Sequence, residues 1–367
     1  MWRVEDDVQQ MLRDSAVAWA EDAAGAERFR RFRASGQGFD PAQWTSMAEL
    51  GWTGLLLPEA FGGSGLGLGP ALTLAEIFGS HLVAAPFVAS AVVAATLLAA
   101  GADEQRALDL AEGRAAPLAA IRDAATHGGV ATTGVRHVDG KLHGTKPFVP
   151  GWHGGATLLV SALADGQAVV AVVEDSAEGM SVQSRKMADG SLAADVTFTA
   201  APARVLLSGQ VARDAIALAR LREALAVCAM LEGLATRLFH MTSDYIKDRV
   251  QFDHPLASFQ VLRHAMVDLH CQLELAGASW RLALRDLEAN APDAAKRVAA
   301  ARARAASSAH AMAEAAIQYH GAFGYTEDAD VGLYVNSILR VAALGGAARD
   351  HRKIALIQHR ERAHAGV

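Results

Sequence analysis

Arg249, Gln251 and Phe252 stand close together within DYIKDRVQFDHPLASFQ (244–260). A guanidinium offers a charge-assisted fork to phosphate. A primary amide donates hydrogen bonds, and an aromatic ring gives a face to another π-system. A second set lies in QYHGAFGYTED (318–328). There Gln318 supplies an amide, and Gly321 and Gly324 let backbone approach a ligand closely. These types suit an anionic, partly aromatic ligand. They also suit a plain helix corner, with Arg249 capping a helix end and the glycines turning the chain. Taken alone, the residues leave both readings open.

Other chemistry-bearing residues form no such sets. The 14 histidines include no HxxxH or HxH with a nearby carboxylate on one face, so no metal site is expected. Cys228 and Cys271 lie inside helical patterns and read as buried, reduced thiols. Ser161, Ser258 and the Ser307–Ser308 pair lack a nucleophile elbow. The glycine-rich stretch GGSGLGLG (62–69) is followed by no GK[ST], so it reads as a loop and not as a phosphate cradle. A net charge of −6 and a pI near 6.2 give no basic field, and nucleic acid is not an expected partner. The longest apolar run, 86–101, falls short of the roughly 20 residues a bilayer needs. The N-terminus lacks the apolar core of a signal peptide. A cytoplasmic protein with no membrane partner is expected.

Three regions must position these residues. Half the chain is hydrophobic, 51%, with 6% aromatics, which favours helix packing through small residues. Residues 4–34 show one helical period, 41–50 a short helix opened by Asp40 and Pro41. Helices near 70–84, 87–100 and 103–113 complete a first region. From about residue 117 the texture changes: TLLVSAL (157–163), QAVVAVVED (167–175) and AADVTFTA (193–200) read as strands. Segments 212–250, 256–289 and 294–320 are long helical patterns without sustained heptads, followed by shorter ones near 330–342 and 347–363. The expected fold is mainly α with a β domain: an N-terminal helical domain (1–115), a central β-barrel or sandwich (116–209) and a C-terminal four-helix bundle (210–367).

Four segments in this order resemble the acyl-CoA dehydrogenases, a family of flavoproteins. They are PEAFGGSGLG (58–67), GTKPFVPGW (144–152), DRVQFDHPLASFQ (248–260) and QYHGAFGYTED (318–328). The resemblance spans essentially the whole chain, and the last two segments carry it most specifically. It implies FAD as cofactor, with Arg249, Gln251, Phe252, Gln318 and Gly321 serving the flavin of a neighbouring subunit. It implies FAD-dependent α,β-desaturation of an acyl-CoA substrate, with electrons passing to an electron-transfer flavoprotein. It also implies a homo- or hetero-dimer or tetramer with a related chain.

The departures are lopsided. The family's threonine-glutamate-proline-glycine-serine segment has no counterpart in AAIRDAATHGG (119–129). Phe148 stands where a tryptophan covers the flavin, and Pro150, which has no N–H, replaces a hydrogen-bonding threonine. Asp253 and Ala322 replace glycines. The chain thus resembles the short subunits of heteromers such as the steroid side-chain and pimeloyl-CoA types, and a non-catalytic subunit completing another chain's flavin site is a second expectation. A flavin-dependent monooxygenase on the same fold is a third. By resemblance, the commoner position of the catalytic base falls on Gly345, and the alternative on Glu223. Glu223 is therefore the candidate base, against a surface glutamate paired with Arg220 or Arg222. Glu232, on the opposite helix face, is a rival.

Overall fold

The computed structural model describes residues 7–123 and 134–365, with side chains to Ile357. Residues 124–129 of the AAIRDAATHGG stretch lie outside that range. The described residues divide into two compact units.

The first unit comprises Met1–Phe29, Leu72–Val83 and Ala224–Val367. The single helix expected over 4–34 is two helices, α1 (Asp7–Ala23) and α2 (Ala26–Ser35). The break is at Gly25, whose φ of +97° lies in the left-handed region that glycine adopts without steric cost. The later part of α4 (Leu68–Ser80) and of the 40-residue α7 (Gly209–Asp248) packs here with α8 (Gln260–Glu288), α9 (Ala294–His320), α10 (Val331–Ala343) and α11 (Ala348–Ala365). Two glycines let α4 and α7 touch backbone to backbone. A Cβ on Gly233 would lie 1.8 Å from the Glu76 carbonyl oxygen, and one on Gly79 2.3 Å from that of Met230. The apolar core of α7 is long enough to cross a bilayer by composition, yet 72% of that window is buried in protein. The stretch Val331–Ile357 passes the same test of length and composition. Around the α4–α7 contact lies an ionic network. Arg281 reaches Glu232 at 2.7 Å and Glu76 at 2.9 Å, Arg13 reaches Glu76 at 3.2 Å, and the Trp280 indole N–H donates to Glu232.

The second unit comprises Arg30–Ala71 and Ala84–Glu223. Asp40 caps α3 (Pro41–Glu49), its carboxylate accepting from the N–H groups of Ala42 and Gln43 with proline at the first helical position. A π-helical stretch, Val88–Ala94, runs into α5 (Ala95–Ala100), and α6 (Glu104–Ala111) follows. The β region is one mixed sheet of eight strands. They are β1 (Leu118–Ala120), β2 (Arg136–Val138), β3 (Lys141–Pro150), β4 (Leu158–Ala164), β5 (Gln167–Val173), β6 (Met180–Lys186), β7 (Leu192–Pro202) and β8 (Arg204–Ser208), in the order β6-β7-β3-β2-β4-β5-β8, with β1 parallel to β4. Leu142, Leu158, Val160, Ala171, Val173, Val196 and Phe198 form its core. The three strands read from alternation are β4, β5 and β7. Strand β6 escapes such a reading because nearly every residue of it is exposed, so no face carries an apolar period.

Candidate functional site

The hairpin that follows α7 is small and strained. Strands β9 (Val250–Gln251) and β10 (His254–Pro255) pair antiparallel through a two-residue loop. Both loop residues, Phe252 and Asp253, have positive φ, 53° and 62°, as a type I′ turn requires. This explains why glycine is usual at position 253, and why aspartate, which tolerates the left-handed region, can replace it. The turn lifts the Phe252 ring to 83% exposure, touching Phe259 edge-on at 6.3 Å.

Arg249 is exposed. Its backbone N–H closes the last turn of α7 on Tyr245 and its carbonyl accepts from Leu256, but its guanidinium has no hydrogen bond or ion pair among the described residues. The capping role left open by the sequence is therefore not what the side chain does. Among the described residues Gln251 donates only to the neighbouring Val250 carbonyl, 2.9 Å. One turn back on α7, Tyr245 stacks on His320 at 4.2 Å and on Phe323 at 6.2 Å, and its hydroxyl donates to the His320 carbonyl. These contacts tie the hairpin's base to the second motif. There Gln318 and Gly321 are exposed, Gly321 with φ +61°. Burial holds the His320 imidazole below its ordinary pKa. The two motifs are thus one edge of the first unit, carrying an exposed cation, two amides and exposed rings.

Phe148 and Glu223 belong to a different cluster, in the second unit. Phe148 lies at a bulge of β3 with φ +53°, its N–H donating to Asp195. The Arg122 guanidinium stands 5.7 Å from the Phe148 ring centroid and donates to Glu223 at 2.6 Å. Glu223 is 7% exposed; it is a buried, paired carboxylate, and its partner is neither Arg220 nor Arg222. Next to Arg122, Asp123 accepts from Lys146 at 2.5 Å, and Lys146 also meets the Ser161 hydroxyl at 2.8 Å. Lys146 is wholly buried, and desolvation pushes its pKa down against the pull of Asp123. Arg220 donates to the Ile121 carbonyl at 2.6 Å and lies 3.9 Å from Asp123, while Arg222 reaches Thr96. Glu232 is committed to Trp280 and Arg281 in the first unit.

Sequence reading missed Arg122, Asp123 and Lys146. Lys146 stood inside a quoted motif, at a buried position of β3 between exposed Thr145 and half-buried Pro147, and no alternation marked it. Nothing local marks Arg122, whose partner is 101 residues away. The cysteines also need correction: Cys228 is buried, its thiol pushed up to about 12 by desolvation, but Cys271 is exposed. The expectation of two buried thiols counted helical position without the helix face.

This order of elements, helices, then a mixed sheet, then long helices ending in an exposed cationic and aromatic edge, is that of the acyl-CoA dehydrogenases. The N-terminal domain of that family matches residues 6–112 and its C-terminal domain residues 212–356, and the chain belongs to the acyl-CoA dehydrogenase family, oxidoreductases acting on CH–CH groups. It is 27% identical to the acyl-CoA dehydrogenase IpdE2 of Mycolicibacterium smegmatis over 343 residues, 93% of this chain and 96% of that protein. With the Tcur3481-Tcur3483 steroid ACAD it shares a TM-score of 0.89 and 27% identity over 98% of this chain and 99% of that one. With the ChsE4-ChsE5 complex from Mycobacterium tuberculosis the TM-score is 0.87 at 23% identity over the whole of both chains, a likeness of fold.

Proposed function

We propose that the chain is one subunit of a heteromeric, FAD-dependent acyl-CoA dehydrogenase, paired with a related chain whose flavin it helps to hold. The observation that carries this reading is the exposed edge built by Arg249, Gln251, Phe252, Gln318 and Gly321. An exposed guanidinium with no partner among the described residues, on the same edge as two exposed amides, fits an anionic pyrophosphate. The Phe252 ring, held out on a strained turn, gives a flat apolar surface to a ring system. Gly321 lets backbone come close without a Cβ in the way. Bound FAD would supply the hydride acceptor for α,β-desaturation of an acyl-CoA thioester. This chain's residues position that group and exclude water from it; electrons then leave to an electron-transfer flavoprotein in the cytoplasm. The steroid ACAD likeness supports a bulky acyl group.

The test is co-expression with a related acyl-CoA dehydrogenase chain encoded nearby, followed by flavin content and desaturation of a steroid side-chain acyl-CoA. Arg249→Ala in this chain is expected to strip flavin from the complex, weakening retention at least tenfold while the complex stays assembled on a sizing column. A complex that keeps its full flavin content with Arg249→Ala would sink the proposal.

A further inference from the structure

The second unit holds a cluster that the proposed function does not use, and it stands at the residue that should cover this chain's own flavin. We infer that ion pairs close this face: the chain takes up no FAD of its own there, and Glu223 is a positioning residue for Arg122 instead of a proton acceptor. The inference rests on the family reading for the roles of Phe148, Pro150 and Glu223; the rest is geometry.

Three consecutive residues after β1 are each tied down. The Ile121 carbonyl accepts from Arg220, 2.6 Å; Arg122 donates to Glu223, 2.6 Å; Asp123 accepts from Lys146, 2.5 Å. Arg220 and Glu223 lie one turn apart on α7, so one helix face grips two of the three. The side chains are largely out of water: Lys146 0% exposed, Asp123 4%, Glu223 9%, Arg122 20%. Breaking such pairs leaves a buried charge without compensation, which disfavours an open arrangement. The Arg122 guanidinium lies over the Phe148 ring at cation–π range. A flavin ring stacked on that face would have to displace it, and with it the Glu223 carboxylate. The bulge at Phe148 adds a second obstacle. Its N–H is spent on Asp195, and Pro150 has no N–H to give. Neither Phe148 nor Pro150 therefore has a backbone N–H left to offer a ligand. Glu223 spends its Oε1 on the Arg122 guanidinium at 2.6 Å, the group it orients.

Two measurements test this. Equilibrium dialysis of the purified wild-type chain against FAD, read by the visible flavin band, is expected to leave no stoichiometric flavin on the protein. Added FAD should not raise its melting temperature, as a ligand of the native state would. One retained flavin per chain would overturn the inference. Melting of Arg122→Ala, Glu223→Ala and the double variant tests the pair itself. Each single variant should lower Tm, and the double variant should lower it no further than the worse single one; additive losses would overturn the ion-pair account. The two proposals fail separately. A chain that binds flavin alone, in a complex still stripped by Arg249→Ala, defeats only this inference. A flavin-free chain in a complex indifferent to Arg249→Ala defeats only the proposed function.

Discussion

Phe252 holds a left-handed backbone conformation that costs a residue with a Cβ on the order of 1–2 kcal/mol, and its ring gains almost nothing in return from its own chain, being 83% exposed. Strain kept without local benefit points to a function outside the subunit. Phe252→Ala should therefore leave the chain's own stability within about 0.5 kcal/mol, measured by denaturant unfolding. In the complex the same change should loosen flavin roughly tenfold, the weight of one aromatic stack of about 1–1.5 kcal/mol, measured by flavin release. A destabilised chain with unchanged flavin would reverse the argument. That this ring, Arg249 and Gln251 share one exposed turn was legible in the sequence, because they crowd into a few positions between two helical patterns. Arg122 and Glu223 were not, because an ion pair between residues 101 positions apart leaves no mark on the local pattern of either partner.

At the scale of elements, the hairpin and the α4–α7 crossing make opposite demands on glycine. The hairpin lacks the glycine its backbone would prefer: Asp253 has φ +62°, and Asp253→Gly should raise stability by up to about 1 kcal/mol, the left-handed cost reduced by glycine's larger unfolded entropy. The crossing has the glycine it needs. Gly233→Ala gains about 1 kcal/mol of helix propensity, but its Cβ would meet the Glu76 carbonyl oxygen at 1.8 Å. The helices would have to part next to the Glu76–Arg281–Glu232 network. The net loss should be about 1–3 kcal/mol, seen as a lower denaturation midpoint with unchanged slope. The long helices were readable from periodicity in α8 and α9, which bury residues at helical spacing, and from a long apolar run in α7, whose residues 223–235 are buried on every face. Strand β6 and the short β1 and β2 were not, because exposed or three-residue strands carry no alternation. The break at Gly25 was hidden because helical spacing continues on either side of it.

At the scale of the whole molecule, two buried histidines, His153 in the second unit and His320 in the first, have their protonation opposed by the fold. In the second unit the His153 ring lies tilted against Phe39, 4.8 Å between centroids, and its Nδ1 meets the Gly151 carbonyl. In the first, His320 stacks on Tyr245 and its Nδ1 meets the Ala316 carbonyl. Desolvation lowers both pKa values from the ordinary 6.5, because each ring loses more hydration as a cation than its backbone carbonyl returns. The unfolded chain therefore binds more protons than the folded one below about pH 6.5, and stability rises with pH across that window. Their contribution is complete above pH 6.5 and is lost as pH falls from there through the folded-state values. Melting temperature should stay level from about pH 8 to 7 and fall below about pH 6.5. His320→Phe keeps a ring against Tyr245 and removes the titration, so its acid limb should be shallower than that of wild type. Thermal melts of the two proteins across this range decide the matter: parallel acid limbs would show that His320 is not among the groups that set the chain's acid lability.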